Sequence, residues 1–417
     1  MRLARYREKE KGAKHMNVAE RFLNYVVYDT QSKESNVIPS TEGQLVFARV
    51  LMEELRSLGI CDAVLSENGY IYGSIPANVE EAAVPTLAFL AHMDTAESYP
   101  GPQTTPQVIT NYSGEAFRLE SGVWMDPAKD AHLKASTGDD IIVTNGLTLL
   151  GGDDKAGVAE IMTALEYFTS HPQVKHGKIL FAFTPDEETG ASVNGIDLEK
   201  IPADFAFTVD GAAFGEIEYE NFNAAAAHIT VHGVDTHPGD AKGTMRNANL
   251  LAIEFQTMLP AWQRPEHTEG YEGFFHLETM QGTCSCCELT YLIREADGEK
   301  FQKMKTTLLE IASYLNRKYG ADVIEVALSD SYHNMKEFVL PHMHFIEKAK
   351  AAIRKQGVDP VSNLIRGGTD GATLSGRGLP CPNLGTGTFN HHGVTEFANI
   401  RQMNQCVELI KELLTIQ

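Results

Sequence analysis

The sequence predicts an α/β protein built on a largely parallel sheet and interrupted by an inserted unit of ferredoxin-like α+β order. Three observations predict it. Over 16–221, short β-rich apolar runs alternate with helical periodicity, as in a sheet covered by helices. Over 222–334 the order becomes strand, helix, strand, strand, helix, strand, in a stretch long enough to be a domain of its own. From 335 to 417 the α/β character returns, so the middle unit is inserted into the first. Residues 1–15 precede the first regular pattern and are read as an N-terminal tail.

Val18, Phe22, Leu23 and Val26 carry the spacing of a first helix. An unbroken apolar run predicts a buried strand over 86–91. Residues 97–147, with Pro, Gly, Asn and Asp, break the alternation and predict a hairpin or loop excursion rather than a separate domain. Val158, Ile161, Met162, Leu165 and Phe168 recur at helical spacing and predict a helix over 155–169, followed by strands over 179–184 and 205–209. The inserted unit reads as strand 227–231, helix 249–258, strands 274–278 and 289–294, helix 300–318 and strand 323–328. After it come a helix over 339–355, a Gly-rich stretch, a strand over 381–388 and a closing helix over 400–414. No internal repeat or heptad series is present.

The 417 residues include 35 Lys and Arg against 56 Asp and Glu, a formal net charge of −21. That field repels nucleic acid and anionic membrane surfaces, which excludes both as expected partners. The longest apolar runs, 84–91 and 179–183, are far short of the ~20 residues that span a bilayer. The first fifteen residues are basic but lack a signal peptide's apolar stretch, and Glu8 and Glu10 oppose a transit peptide, so a cytoplasmic protein is expected. Six cysteines (Cys61, Cys284, Cys286, Cys287, Cys381 and Cys406) are too sparse for a disulfide framework. The 284–287 cluster lies in a strand-like run without the paired spacing of a zinc finger, and reads as incidental.

Five segments place histidines and carboxylates at predicted strand ends, where α/β sheets hold their ligands. His92 and Asp94, two apart on a strand, share a face, so Asp94 can accept the second N–H of a metal-binding His92. A structural histidine is the other reading. Asp153 and Asp154 open the 155–169 helix, where capping and dipole compensation compete with a carboxylate bridging two cations. Asp186, Glu187 and Glu188 follow a strand directly; a surface loop tolerates three like charges, but a cation would offset them and leave one acid free for proton transfer. Asp210 ends another buried strand, and His391 and His392 precede Glu396. Taken together, His92, Asp153, Glu188, Asp210 and His392 form a mixed N/O set suited to zinc, cobalt or manganese, enough for two metals with one bridging ligand. Such a pair shares a hydroxide and polarises a carbonyl, and Glu187 is the spare base that passes the proton to a leaving nitrogen. The chemistry this implies is amide hydrolysis.

At these residues the chain resembles the M20 family of metallopeptidases, most closely its tripeptide aminopeptidases, over nearly all of the sequence from Met16. His92-x-Asp94, Gly152-Asp153-Asp154-Lys155-Ala-Gly157, Asp186-Glu187-Glu188-Thr-Gly190, Asp210-Gly211 and His392-x-x-x-Glu396 occur in the family's order. The resemblance implies a mixed-sheet zinc-peptidase catalytic domain made of 16–221 and 335–417, with 222–334 as its ferredoxin-like lid and dimerisation domain. It implies two zinc ions per chain, one held by His92, Asp153 and Asp210, the other by Asp153, Glu188 and His392. His392 is preferred to His391 because only it has Glu four residues on. Glu187 resembles the family's general base and Asp94 the carboxylate behind the ligating histidine. The Asp153–Asp154 bond corresponds to one the family often holds cis.

In the lid, His237 resembles the histidine that approaches the substrate carbonyl oxygen, and a turn residue before Pro-Gly is its alternative. Arg294 and Arg366 are candidates for the peptide's C-terminal carboxylate, each with a solvated surface arginine as alternative. Arg366 is favoured by its neighbouring glycines, and Asn247 is a weaker candidate. The expected activity is removal of the N-terminal residue from small peptides, tripeptides above all, by a di-zinc enzyme that forms a homodimer through the lid. An M20-type amidohydrolase acting on dipeptides or N-acyl amino acids is the alternative. A non-catalytic peptide-binding protein is opposed by the presence of all five ligands and Glu187.

Overall fold

The computed structural model describes residues 15–79, 84–100, 104–320 and 322–416, so the expected tail, His15 apart, lies outside the described residues. The chain divides into two compact units. The first ends its opening stretch at Tyr219 and resumes over Phe338–Asn363 and from Thr369, while the second comprises Glu220–Glu337 and Leu364–Gly368.

The first unit is built on a seven-stranded sheet in the order Val64–Leu65, Ile71–Ile75, Ile179–Thr184, Leu87–His92, Phe205–Gly211, Asn383–Gly385, Ile217–Glu218. The four inner strands run parallel and the edges antiparallel, giving a mixed sheet. Leu87–His92 and Ile179–Thr184 are buried at every residue, which is why both read as continuous apolar runs rather than alternating ones. Because the inner strands are parallel, their C-terminal ends emerge side by side. His92 pairs with Thr184, and Leu90 pairs with Thr208. That register brings His92, the 186–188 loop and Asp210 to one end of the sheet.

Helix Gly152–Ser170 packs across the Leu87–His92 and Phe205–Gly211 strands. Close approach there depends on Gly157. A Cβ at that position would overlap the carbonyl oxygen of Val209 and lie 2.5 Å from Asp154 Oδ1. Gly157→Ala is therefore expected to destabilise the protein by about 3 kcal/mol, the upper end of overpacking costs, read as a fall in the urea midpoint.

The 97–147 excursion is more ordered than expected. Gln107–Ile109 and Ile141–Val143 join Phe397–Asn399 and Thr388–Phe389 in a second, four-stranded sheet, with a small hairpin of Phe117–Arg118 and Trp124–Met125 beside them in sequence. The pairing of Ile141–Val143 with Phe397–Asn399, some 250 residues later in the chain, leaves no local signal. The strand expected over 381–388 splits between the two sheets, as Asn383–Gly385 and Thr388–Phe389. The helix expected from 339 begins at Met343 after the short turns Lys336–Val339 and Leu340–His342, because Pro341 cannot sit inside a helix.

The second unit has an antiparallel sheet in the order Phe274–Gly282, Cys286–Glu295, Asn223–His232, Ile324–Tyr332. Helices Ala248–Met258 and Gly298–Tyr319 cover one face, burying Ile229, Phe255, Leu289, Tyr291 and Leu308, and the ferredoxin-like order is as expected. Cys287 sits in that core, whereas Cys284 precedes the strand. A parallel bridge between Glu220–Asn221 and Leu364–Ile365 ties the unit's last piece to its first. Among the described residues, no helix is long and apolar enough to cross a membrane.

Candidate metal centre

Five side chains converge at the end of the main sheet in two triads that share one carboxylate. His92 Nε2 lies 2.9 Å from Asp153 Oδ1 and 3.5 Å from Asp210 Oδ1. His392 Nε2 lies 3.3 Å from Asp153 Oδ2 and 2.8 Å from Glu188 Oε2. Within each triad the donor atoms are all within 4.8 Å of one another. Asp153 thus turns one oxygen to each triad, the geometry a bridging carboxylate needs. The same two groupings are the ones the family resemblance implies.

The charge balance of the cluster suits cations. Burial pushes the Asp210 carboxyl up to about 7; His92 offsets part of that and the nearby Asp153 charge adds to it. Burial likewise raises Glu188, and its Oε1 is enclosed without a hydrogen-bond partner among the described residues. Burial lowers His92, but Asp210, Asp153 and Asp94 hold its imidazole well above the usual range. Bonds to Asp153 and Glu188 lift His392 to about 10. An orphaned carboxylate oxygen and a surplus of buried acids around two imidazoles fit a pair of divalent cations of the zinc, cobalt or manganese type.

Local structure explains which acid faces inward. Asp186 accepts hydrogen bonds from the Ser40 N–H at 2.7 Å and Gln44 Nε2 at 2.7 Å, and its own N–H donates to Gln44 Oε1. It is a loop anchor, and its three-acid run therefore leaves two for the site. The carboxylate of Asp94, fully buried, accepts the N–H of Glu187 at 3.0 Å and of Glu188 at 3.1 Å, with Oδ1 3.3 Å from His92 Nδ1. One side chain therefore orients both a candidate ligand and the backbone of the loop that carries the candidate base. Burial, then the charge of Asp370, holds the Glu187 carboxyl well above its usual range.

A family model described as a peptidase dimerisation domain matches residues 219–322. Over 402 residues the chain is 48% identical to peptidase T of Caldanaerobacter subterraneus, covering 96% of this chain and 98% of the relative. It is 47% identical to peptidase T of Vibrio atlanticus, at 95% and 97% coverage. The chain belongs to the peptidase T family. Its fold is also that of the aminopeptidase PepT from Bacillus cereus, with a TM-score of 0.77 at 21% identity over 95% of this chain and 97% of that one.

In this peptidase T family member, a further layer supports Asp153. Glu396 accepts the N–H groups of Leu150 at 2.7 Å and Gly151 at 2.8 Å through Oε2, and of Asp153 at 3.1 Å through Oε1. From the sequence it served only to tell His392 from His391; its role as the clamp of the Asp153 loop rests on contacts more than 240 residues apart. Glu396→Gln, with one acceptor oxygen for three donors, is expected to weaken metal affinity about 10- to 100-fold, measured by chelator competition. The Asp153–Asp154 peptide is cis, and Asp154 accepts from the N–H groups of His92 and Gly157. His391 bonds to Thr388 Oγ1 through Nε2 and lies 3.6 Å from Asp153 Oδ2, outside both triads.

The remaining candidates lie in the second unit. His237 is exposed, and its Nδ1 accepts the N–H of Gly239 at 3.1 Å. Asn247 caps helix Ala248–Met258 by accepting the N–H of Asn249. Arg366 is heavily engaged, donating to Gly270 O, Thr268 O and Thr268 Oγ1 while its guanidinium lies over Phe222 and Phe274. The Arg294 side chain has one hydrogen bond among the described residues, to Ile293 O.

Proposed function

We propose that this chain is a di-metal aminopeptidase that removes the N-terminal residue from tripeptides, with zinc as its metal. One observation carries the reading: two ligand triads meet at Asp153 beside Glu187, in a member of the peptidase T family. Two zinc ions bound there would supply Lewis acidity to the scissile carbonyl and to water. The chain's own residues do the rest. Asp94 orients His92 and the Glu187–Glu188 backbone. Glu187, outside both triads, takes a proton from water on its carboxylate and returns it to the leaving nitrogen. His237, with Nδ1 engaged by Gly239, carries its proton on Nε2 and is a donor for the developing oxyanion.

Arg294, with donors to spare, is better suited than the engaged Arg366 to receive the peptide's C-terminal carboxylate. A homodimer through the second unit accords with the dimerisation-domain match. A cytoplasmic setting accords with six free cysteines. The test is to incubate zinc-loaded protein with a dipeptide, a tripeptide, a tetrapeptide and an N-acetylated amino acid, following products by mass spectrometry against a chelated control. Chelator-sensitive release of the N-terminal residue from the tripeptide is the expected result. Cleavage of the acetylated compound alone would overturn the substrate assignment.

A further inference from the structure

At one end of the second unit's sheet, four residues form a single row across the strands. Phe274 is opposite Arg294, Arg294 is opposite Ala224, and Ala224 is opposite Tyr332. Ala224 is fully buried and has only a methyl group, so the arginine can reach across it. The Arg294 guanidinium carbon lies 5.3 Å from the centroid of the Tyr332 ring, within the range of a cation–π contact. On the same ring lies Gly368, where a Cβ would come within 2.5 Å of Tyr332 Cζ. The segment that supplies Gly368 also supplies Arg366, whose guanidinium rests over Phe274 at the row's other side. The Tyr332 ring, backed by Gly368 and reached across Ala224, thereby sets the position of a guanidinium that has most of its donors left over among the described residues.

We propose that Tyr332, held in place by the close approach of Gly368, is the positioning residue that aims Arg294 at the C-terminal carboxylate of the peptide substrate. The proposal rests on the reading of Arg294 as the carboxylate-binding group. Arginine loses rotamer freedom when it binds, and a ring that holds the guanidinium beforehand reduces that loss, so the effect falls on substrate binding rather than on the chemical step. The ring face supplies the contact and the hydroxyl does not. Tyr332→Phe therefore keeps the function that Tyr332→Ala loses, and Gly368→Ala, by displacing the ring, imitates Tyr332→Ala.

The experiment compares kcat and KM of the metal-loaded protein on trialanine and on its C-terminal amide. The wild type is expected to favour the free acid by about 10- to 100-fold in kcat/KM, the range of a charged hydrogen bond, and Arg294→Ala to erase that preference. Tyr332→Ala and Gly368→Ala are expected to raise KM for the acid about tenfold and to bring its preference over the amide close to that of Arg294→Ala. Tyr332→Phe is expected to keep the wild-type ratio. A Tyr332→Ala protein with the wild-type ratio, alongside an Arg294→Ala protein that has lost it, would overturn the positioning role. So would a Tyr332→Phe protein as impaired as Tyr332→Ala. A wild type that treats acid and amide alike would instead remove the carboxylate reading of Arg294 on which the proposal rests.

Discussion

Glu187→Gln is expected to lower kcat on a tripeptide by about two to four orders of magnitude while leaving the metal content unchanged. The amide has the length and shape of the carboxylate but is a far weaker base, so the substitution removes proton transfer and little else. Glu187 belongs to neither triad, so the substitution leaves all five candidate donors in place. Its backbone N–H still reaches Asp94, and the loop geometry persists. Steady-state kinetics with metal analysis on the same sample checks both halves. A variant that turned over at the wild-type rate would exclude Glu187 as the base.

Asp153→Asn is expected to be as damaging by a different route. Each oxygen of Asp153 faces a different imidazole, and asparagine can offer an oxygen to one side only. The other side receives an N–H₂ group, which donates hydrogen bonds and does not ligate cations. Stoichiometry should fall from two metals per chain to one or none. With it goes the several kcal/mol that a second Lewis acid supplies, about 10³-fold in rate. Calorimetric titration of the metal-free variant with zinc reads the stoichiometry directly. Two sites of undiminished affinity would show that Asp153 does not bridge.

What could be read in the sequence follows from where the information sits. Two of the candidate ligands close strands whose burial on both faces writes them as apolar runs, so Leu87–His92 and Phe205–Gly211 announced His92 and Asp210. The ferredoxin-like unit was legible because its helices and strands keep their own periods, as in Gly298–Tyr319 and Cys286–Glu295. Contacts between distant segments were not. Nothing near Glu396 foretells that it clamps the Leu150–Asp153 backbone, and nothing near Asp186 shows that Ser40 and Gln44 will take it out of its acidic run. The two arginines stood out by charge, but what separates them is the company each keeps: loop carbonyls for Arg366, and a tyrosine ring across an alanine for Arg294.

The second unit is not one continuous cassette. Its final residues, Leu364–Gly368, arrive only after Phe338–Asn363 has contributed to the first unit. Proteins are synthesised from the N-terminus, and domains generally fold as units as they emerge. Here the smaller unit cannot seal the Glu220–Asn221 edge, stack Arg366 or back Tyr332 until a helix of the larger one, Met343–Lys355, has already left the ribosome. The two units are therefore interleaved along the order of synthesis. A chimaera that transplants 220–337 alone would carry the ferredoxin-like sheet but leave behind the strip that completes its arginine-bearing end.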